Sequence, residues 1–190
     1  MGTRGFVGFV ADGAEKIAYN RFDSYPESLG VAVLTWAREA DLAAAADAAR
    51  VLRVVRDDDE PTDEDLVNFG KWANLNVGER RDRPDWYQLL RETQGKPAAI
   101  LDAGVLVDAH EFPLDSLFAE WGYLVDFDAQ ALEAYRGFQH SPHELGRFAS
   151  RELPADAAAG YYPCALARSW PLSALPTDDE FVKALEGDDE

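Results

Sequence analysis

The sequence predicts an α+β domain: a mostly antiparallel sheet built from an N-terminal and a C-terminal hairpin, with a central group of helices packed on it. Three observations carry that expectation. Aromatic and β-branched stretches bounded by turn residues stand toward both ends of the chain. Segments with helical spacing of apolar residues are grouped between them. Strands and helices do not alternate one for one, as a parallel βαβ sheet requires. The 190 residues suit one domain, 1–190, with room for a sizeable core.

In chain order, "RGFVGFVA" (4–11) reads as a strand, Asp12-Gly13 as a two-residue hairpin turn, and "EKIAYNRF" as the returning strand. Gly5 and Gly8 inside the first strand mark a close backbone approach or a bulge. Pro26 sits where a first helical turn begins, with Ser24 upstream as its cap. Leu29, Val33 and Trp36 then follow helical spacing. A second helix, "DLAAAADAARVLRVV", starts from Asp41 as its cap, and its alanines permit close packing. An acidic loop near 57–65 separates it from a third helix, "LVNFGKWANL", headed by a Thr62–Asp65 capping box.

"NVGERRDRP" reads as an exposed loop, and "PDWYQLLRETQG" as a short helix between Pro84 and Gly95. "PAAILDAGVLVDA" reads as a helix ending near Gly104 and then a short extended piece. "LFAEWGYLVDFD" and "ALEAYRGFQ" form the second hairpin, and "HSPHELGRFASRELPADAAAG" is mostly loop. "YYPCALARSWPL" gives a last strand interrupted at Pro163. Thr177 and Glu180 cap a C-terminal helix, beyond which residues 187–190 are expected to fray.

The charge balance excludes some partners. With 36 acidic and 18 basic side chains, the net charge of −18 repels nucleic-acid phosphates and anionic lipid. Direct nucleic-acid and membrane binding are therefore not expected. A cationic protein partner suits the field, and solubility is its simpler use. The single cysteine, Cys164, excludes an intramolecular disulfide and points to a reducing, cytoplasmic setting. The first residues lack a secretory signal pattern, and no segment has the length of a membrane span.

The densest polar stretch is "YNRFDSYP", where the first hairpin runs into the first helix. Tyr19 and Arg21 fall on one face of the strand, Asn20 on the other, and Asp23, Ser24 and Tyr25 at the junction. Together with Arg4, these residues are the expected ligand site, and an anion is the expected ligand. Capping by Asp23 or Ser24 and aromatic packing explain part of the same pattern.

Other groups are weaker. His140 and His143 flank Pro142 and read as loop histidines, with no metal site expected. The acidic run lacks the calcium-loop pattern. Asp126 and Asp128, with Glu120, form at most a carboxylate pair at a hairpin end. Cys164 reads as a buried, inert thiol. No phosphate-binding glycine loop or catalytic signature is present, so no cofactor is expected.

The segment "GTRGFVGFVADGAEKIAYNRFDSYPESLG", with the later "EWGYLVDFDAQALEAYRGF" and "YYPCAL", resembles a family of phage and bacterial proteins that has no established activity. The resemblance covers Thr3 to about Leu175 and implies a phage or prophage origin. By analogy with small acidic phage proteins, it implies action by binding a host component. The leading expectation is thus an accessory protein that binds a protein partner or a small anionic ligand. The alternative is an N-terminal-nucleophile-like amide hydrolase with its pocket at Tyr19–Tyr25, although Gly2 rather than Thr3 follows Met1. A second alternative is a nucleic-acid mimic acting through its acidic surface. Oligomeric state has no signal in the sequence.

Overall fold

Asp12 and Gly13 form the turn their chemistry favours: in the computed structural model, which describes residues 2–78 and 82–187, their φ angles are 52° and 73°. The strands are β1 (Gly5–Ala11), β2 (Ala14–Asn20), β3 (Arg53–Val55), β4 (Val105–Val107), β5 (Trp121–Asp126), β6 (Ala131–Arg136) and β7 (Ala165–Pro171). The helices are α1 (Val31–Glu39), α2 (Leu42–Val51), α3 (Asp63–Phe69), α4 (Trp86–Leu89), α5 (Pro97–Ala103) and α6 (Asp178–Glu186). Five strands make one sheet in the order β2-β1-β5-β6-β7. All its pairings are antiparallel except the central one, where β1 runs parallel to β5 from Gly5↔Trp121 to Val10↔Asp126. The two expected hairpins are therefore halves of a single α+β sheet. Within β1 the register is continuous, and a Cβ on Gly8 would fall 2.6 Å from the Lys16 carbonyl oxygen. Close approach, not a bulge, accounts for that glycine.

Alternation along the strands sorts the core into two faces. Val7, Phe9, Tyr123, Val125, Leu132 and Ala134 meet α1, α2, α5 and α6 on one side. Phe6, Ile17, Leu124 and Tyr135 face the other, which is covered by loops carrying Leu114, Phe148 and Cys164. The long segment from Gly137 to Cys164 holds no helix or strand: the loop read over 140–160 forms, but the strand before it stops at Arg136 and the last strand starts only at Ala165. Phe148 anchors it, with ring centroids 4.7 Å from Tyr135 and 5.8 Å from Phe6. Arg147 beside it reaches Asp126 (2.5 Å), Glu133 (2.9 Å) and Glu15 (3.2 Å), and Arg151 joins Glu15 at 2.6 Å. Burying a phenylalanine is worth about 1.5–3 kcal/mol, whereas a half-buried ion cluster roughly breaks even against an apolar replacement. Phe148 therefore supplies the docking energy, and Arg147 fixes where the loop lands.

Three expectations are corrected. Ser24 does not cap the first helix: no side chain caps that end, and a five-residue π turn, Pro26–Gly30, leads into α1. Ser24 is instead enclosed and accepts from Asn20. The second helix stops at Val51, and Arg53–Val55 leaves it as β3, paired in parallel with β4. Lys16 caps the end of that helix by donating to the carbonyls of Ala49, Arg50 and Leu52 at 2.8–2.9 Å. The third helix ends at Phe69 and continues only as a 3₁₀ turn, Gly70–Trp72. The capping boxes at Thr62 and Thr177, the Asp41 cap and the left-handed Gly104 terminus (φ 70°) all form as read. The tail expected to fray lies, beyond Gly187, outside the described residues, as does 79–81 of the loop before α4. Among the described residues, no helix is long and apolar enough to cross a membrane.

Candidate functional site

At the end of β2 the chain ties itself into a compact knot of hydrogen bonds. The Asn20 amide donates to the Phe22 carbonyl (2.5 Å) and to Ser24 Oγ (2.9 Å). Ser24 N–H donates to the Thr3 carbonyl (3.2 Å), and the Tyr123 hydroxyl donates to the Ser24 carbonyl (3.1 Å). Asp23 takes a left-handed φ of 53°, which turns its carbonyl to accept from Leu29 N–H (3.1 Å). Asn20 and Ser24 are therefore enclosed and satisfied, while Asp23 and Tyr25 stand exposed. Thr3, the nearest hydroxyl to the N-terminus, is buried and its Oγ1 has no partner among the described residues.

Tyr19, Arg21 and Arg4 point elsewhere. The outer edge of β2 is covered by the chain that follows β4, with Ala109 N–H donating to the Ile17 carbonyl (2.9 Å). Between this crossing and α4 lies a cleft of about 480 Å³, within the roughly 300–1,000 Å³ common for small-molecule sites. Its aromatic walls are Tyr19, Trp86, Tyr87 and Phe112, with Asp57, Asp85 and Asp108 among its polar lining. The rings of Tyr19 and Phe112 meet edge to face at 5.0 Å. Trp86 is almost wholly buried, and its indole N–H has no acceptor among the described residues.

Three guanidiniums gather about Tyr19. Burial raises the pKa of its hydroxyl, and the charges of Arg4, Arg21 and Arg91 oppose that rise. Arg21 Nη1 donates to the Tyr87 hydroxyl at 3.0 Å. The Arg91 guanidinium lies over the rings of Phe22 and Tyr87, both at 5.7 Å, and donates to Gln94 (2.5 Å). Arg4 lies 4.6 Å over the ring of Phe118. Among the described residues, none of the three guanidiniums pairs with a carboxylate.

The remaining sequence candidates separate in space. Asp126 joins the Arg147 cluster, Asp128 accepts from Asp12 N–H (2.9 Å) and Gly13 N–H (2.7 Å) at the first turn, and Glu120 accepts from Arg4 N–H. His143 bonds the Pro163 carbonyl (2.7 Å), His140 packs on Tyr161, and His110 contacts Asp108 (2.6 Å). Among the described residues, no three His, Cys, Asp or Glu side chains are grouped to hold a metal ion. The acidic run is divided among Arg56, which takes Asp58, Arg83, which takes Asp63 at 2.9 Å, and Arg53, which takes Asp65 at 2.7 Å. The Arg53 bond and the Thr62 cap hold the Asp65 carboxyl below its usual range. Burial pushes the Cys164 thiol up, and its sulfur donates to the Ala119 carbonyl (3.2 Å).

Sequence reasoning did not find Tyr87, Arg91, Trp86 or Phe112 as site residues. Tyr87 and Arg91 stand four apart in "WYQLLRETQ", a spacing that brings both to one side of a helical stretch. Nothing local ties that face to Tyr19; only the crossing of β4 beside β2 does. No family model, curated protein or solved structure matches the chain.

Proposed function

We propose that the protein is an accessory binding domain, without a reaction of its own, whose cleft beside Tyr19 takes a small anionic ligand. The observation that carries this reading is the set of three arginines, without carboxylate partners among the described residues, whose charges act on one half-buried tyrosine. In a chain with two acidic side chains for every basic one, guanidiniums find carboxylates readily. Arg21 and Arg91 place positive charge beside a cleft whose own charged lining is Asp57, Asp85 and Asp108. Guanidiniums also suit oxyanions geometrically, because their N–H groups form a planar fork. The adjoining aromatic walls favour an anion that carries a flat ring.

Thermal denaturation in the presence of acetate, benzoate, phosphate and phenyl phosphate tests the reading. The ring-bearing anions should raise the melting temperature, and the rise should disappear in an Arg21→Ala/Arg91→Ala variant. Equal melting temperatures in all four anions and in their absence would sink it.

A further inference from the structure

Arg21 and Arg91 converge on one exposed ring outside the lining of the cleft. Their guanidinium carbons lie 5.3 Å and 5.7 Å from the centre of Phe22, which is 49% exposed. A cation over a ring is attracted without using its N–H groups, so this contact positions both guanidiniums and leaves donors available. Arg21 uses Nη1 on the Tyr87 hydroxyl and Arg91 uses Nη1 on Gln94; among the described residues neither meets a carboxylate. Phe22 and Arg91 also line a depression of about 280 Å³ with Val77, Glu92 and Lys96. There Glu92 takes Lys96 at 3.5 Å and the Asn74 amide at 3.3 Å, which leaves Arg91 as the uncompensated charge among the described residues. The depression is smaller than the roughly 300–1,000 Å³ common for small-molecule sites, and suits a side chain better than a whole ligand.

Arginine and aromatic side chains on an open surface are the groups that dominate binding energy in protein interfaces. We propose that this surface docks an acidic segment of a partner protein, with an apolar side chain flanked by carboxylates. The inference rests on the reading of Arg21 and Arg91 as anion-binding residues, and makes the anion a carboxylate carried on a chain. The apolar side chain covers Phe22 and enters the depression beside Val77, while the carboxylates take the forked N–H groups of Arg21 and Arg91. Charge favours such a segment over two other occupants. A second copy of the chain brings its whole net charge of −18, and a nucleic-acid strand brings a phosphate at every nucleotide. A short segment brings only a few carboxylates. At physiological ionic strength these feel mainly the charges within about 8 Å, so the two arginines decide.

Isothermal titration calorimetry of the full chain at about 0.15 M salt tests the proposal. The probes are two acetylated, amidated pentapeptides, Glu-Glu-Leu-Glu-Glu and its counterpart Gln-Gln-Leu-Gln-Gln, with phenyl phosphate and pentathymidylate. The acidic peptide should bind and phenyl phosphate should compete with it. The glutamine peptide should be weaker by about tenfold or more, the scale of one hydrogen bond to a charged group. Arg91→Ala should weaken the acidic peptide by a similar factor, and Arg91→Lys should restore part of the loss. Arg21→Ala provides a second variant on a different element. Phe22→Ala should weaken the acidic peptide comparably, because it removes the ring that the leucine covers. Binding of phenyl phosphate with equal affinity, or no affinity, for the two peptides overturns the proposal and leaves the anion reading standing. Binding of pentathymidylate in place of the acidic peptide overturns it as well. If neither the acidic peptide nor phenyl phosphate binds, both fall.

Discussion

Arg21 donates from its guanidinium to the hydroxyl of Tyr87 at 3.0 Å, joining the end of the first hairpin to a helix 66 positions further along the chain. Tyr87 lines the cleft, so the bond holds Arg21 beside it and sets the direction in which Arg21 offers its remaining N–H groups. Arg21 is exposed and Tyr87 only half-buried, so the bond itself is worth little: Tyr87→Phe should cost less than about 1 kcal/mol of stability. It should nevertheless weaken binding of phenyl phosphate, because Arg21 loses the contact that aims it. Urea denaturation and calorimetry on the same variant separate the two effects. A variant that loses stability and binds phenyl phosphate as before would show that Tyr87 only packs.

Asn20 holds the junction shut, and Asp23 pays for it in backbone conformation. Asn20→Ala leaves the Phe22 carbonyl and the enclosed Ser24 hydroxyl without their donor, and should cost about 1–3 kcal/mol. Asp23→Gly relaxes a left-handed residue and should be neutral or stabilise slightly, whereas Asp23→Ala should destabilise by about 1 kcal/mol. Denaturant midpoints for the three variants give the ranking. An Asn20→Ala variant as stable as the parent contradicts the structural role assigned to that amide.

These two residues also show what the sequence makes legible. The hairpin turn, the capping boxes and the glycine helix end each depend on neighbours within a few positions, and each forms as read. The conversion of Arg53–Val55 from helix to strand depends on a partner at Val105–Val107, which no local signal announces. The same holds at the site. Tyr19 and Arg21 stand out as a dense local pattern, yet the walls opposite them come from Trp86, Tyr87 and Phe112, brought in by topology. Ser24 and Pro26 look like a cap and a first turn. The enclosure of Ser24 by Asn20, Thr3 and Tyr123 is a tertiary outcome that overrides that preference.

Arg147 compensates three carboxylates, Glu15, Asp126 and Glu133, on the loop-covered face of the sheet. Arg147→Ala removes the cation from Asp126 and Glu133, which keep the Asp128 and Ala129 N–H groups and the Tyr135 hydroxyl as donors, while Arg151 stays on Glu15. Removal of one member of a largely buried ion cluster costs about 3–5 kcal/mol, so the loss should be severe. Arg147→Met retains apolar volume but not the charge, and should be nearly as damaging. Chemical denaturation measures both. A loss below about 1 kcal/mol would place the cluster among surface ion pairs of negligible weight.

Three tyrosines set the alkaline limit of the fold. Burial raises the pKa of Tyr19, Tyr123 and Tyr135 above the usual phenol value. A phenol whose folded pKa exceeds its unfolded value stabilises the fold fully while both states remain protonated. That stability is lost as the pH rises from about 10, because the unfolded chain gives up its protons first. The denaturation midpoint should therefore fall above that pH, and phenolate absorbance should show these three groups titrating late, together with unfolding. Tyr135→Phe should flatten the fall. Ionisation of every phenol in one step within the folded protein would contradict the burial of these rings.

The most direct test is the nuclear magnetic resonance of the arginine side chains during titration with phenyl phosphate. The account predicts that the Nε–Hε signals of Arg21 and Arg91 move progressively and saturate, while those of Arg38 and Arg56, already paired with Asp178 and Asp58, stay in place. Signals of Arg21 and Arg91 that remain fixed while phenyl phosphate shifts other groups, or while nothing shifts, would contradict it.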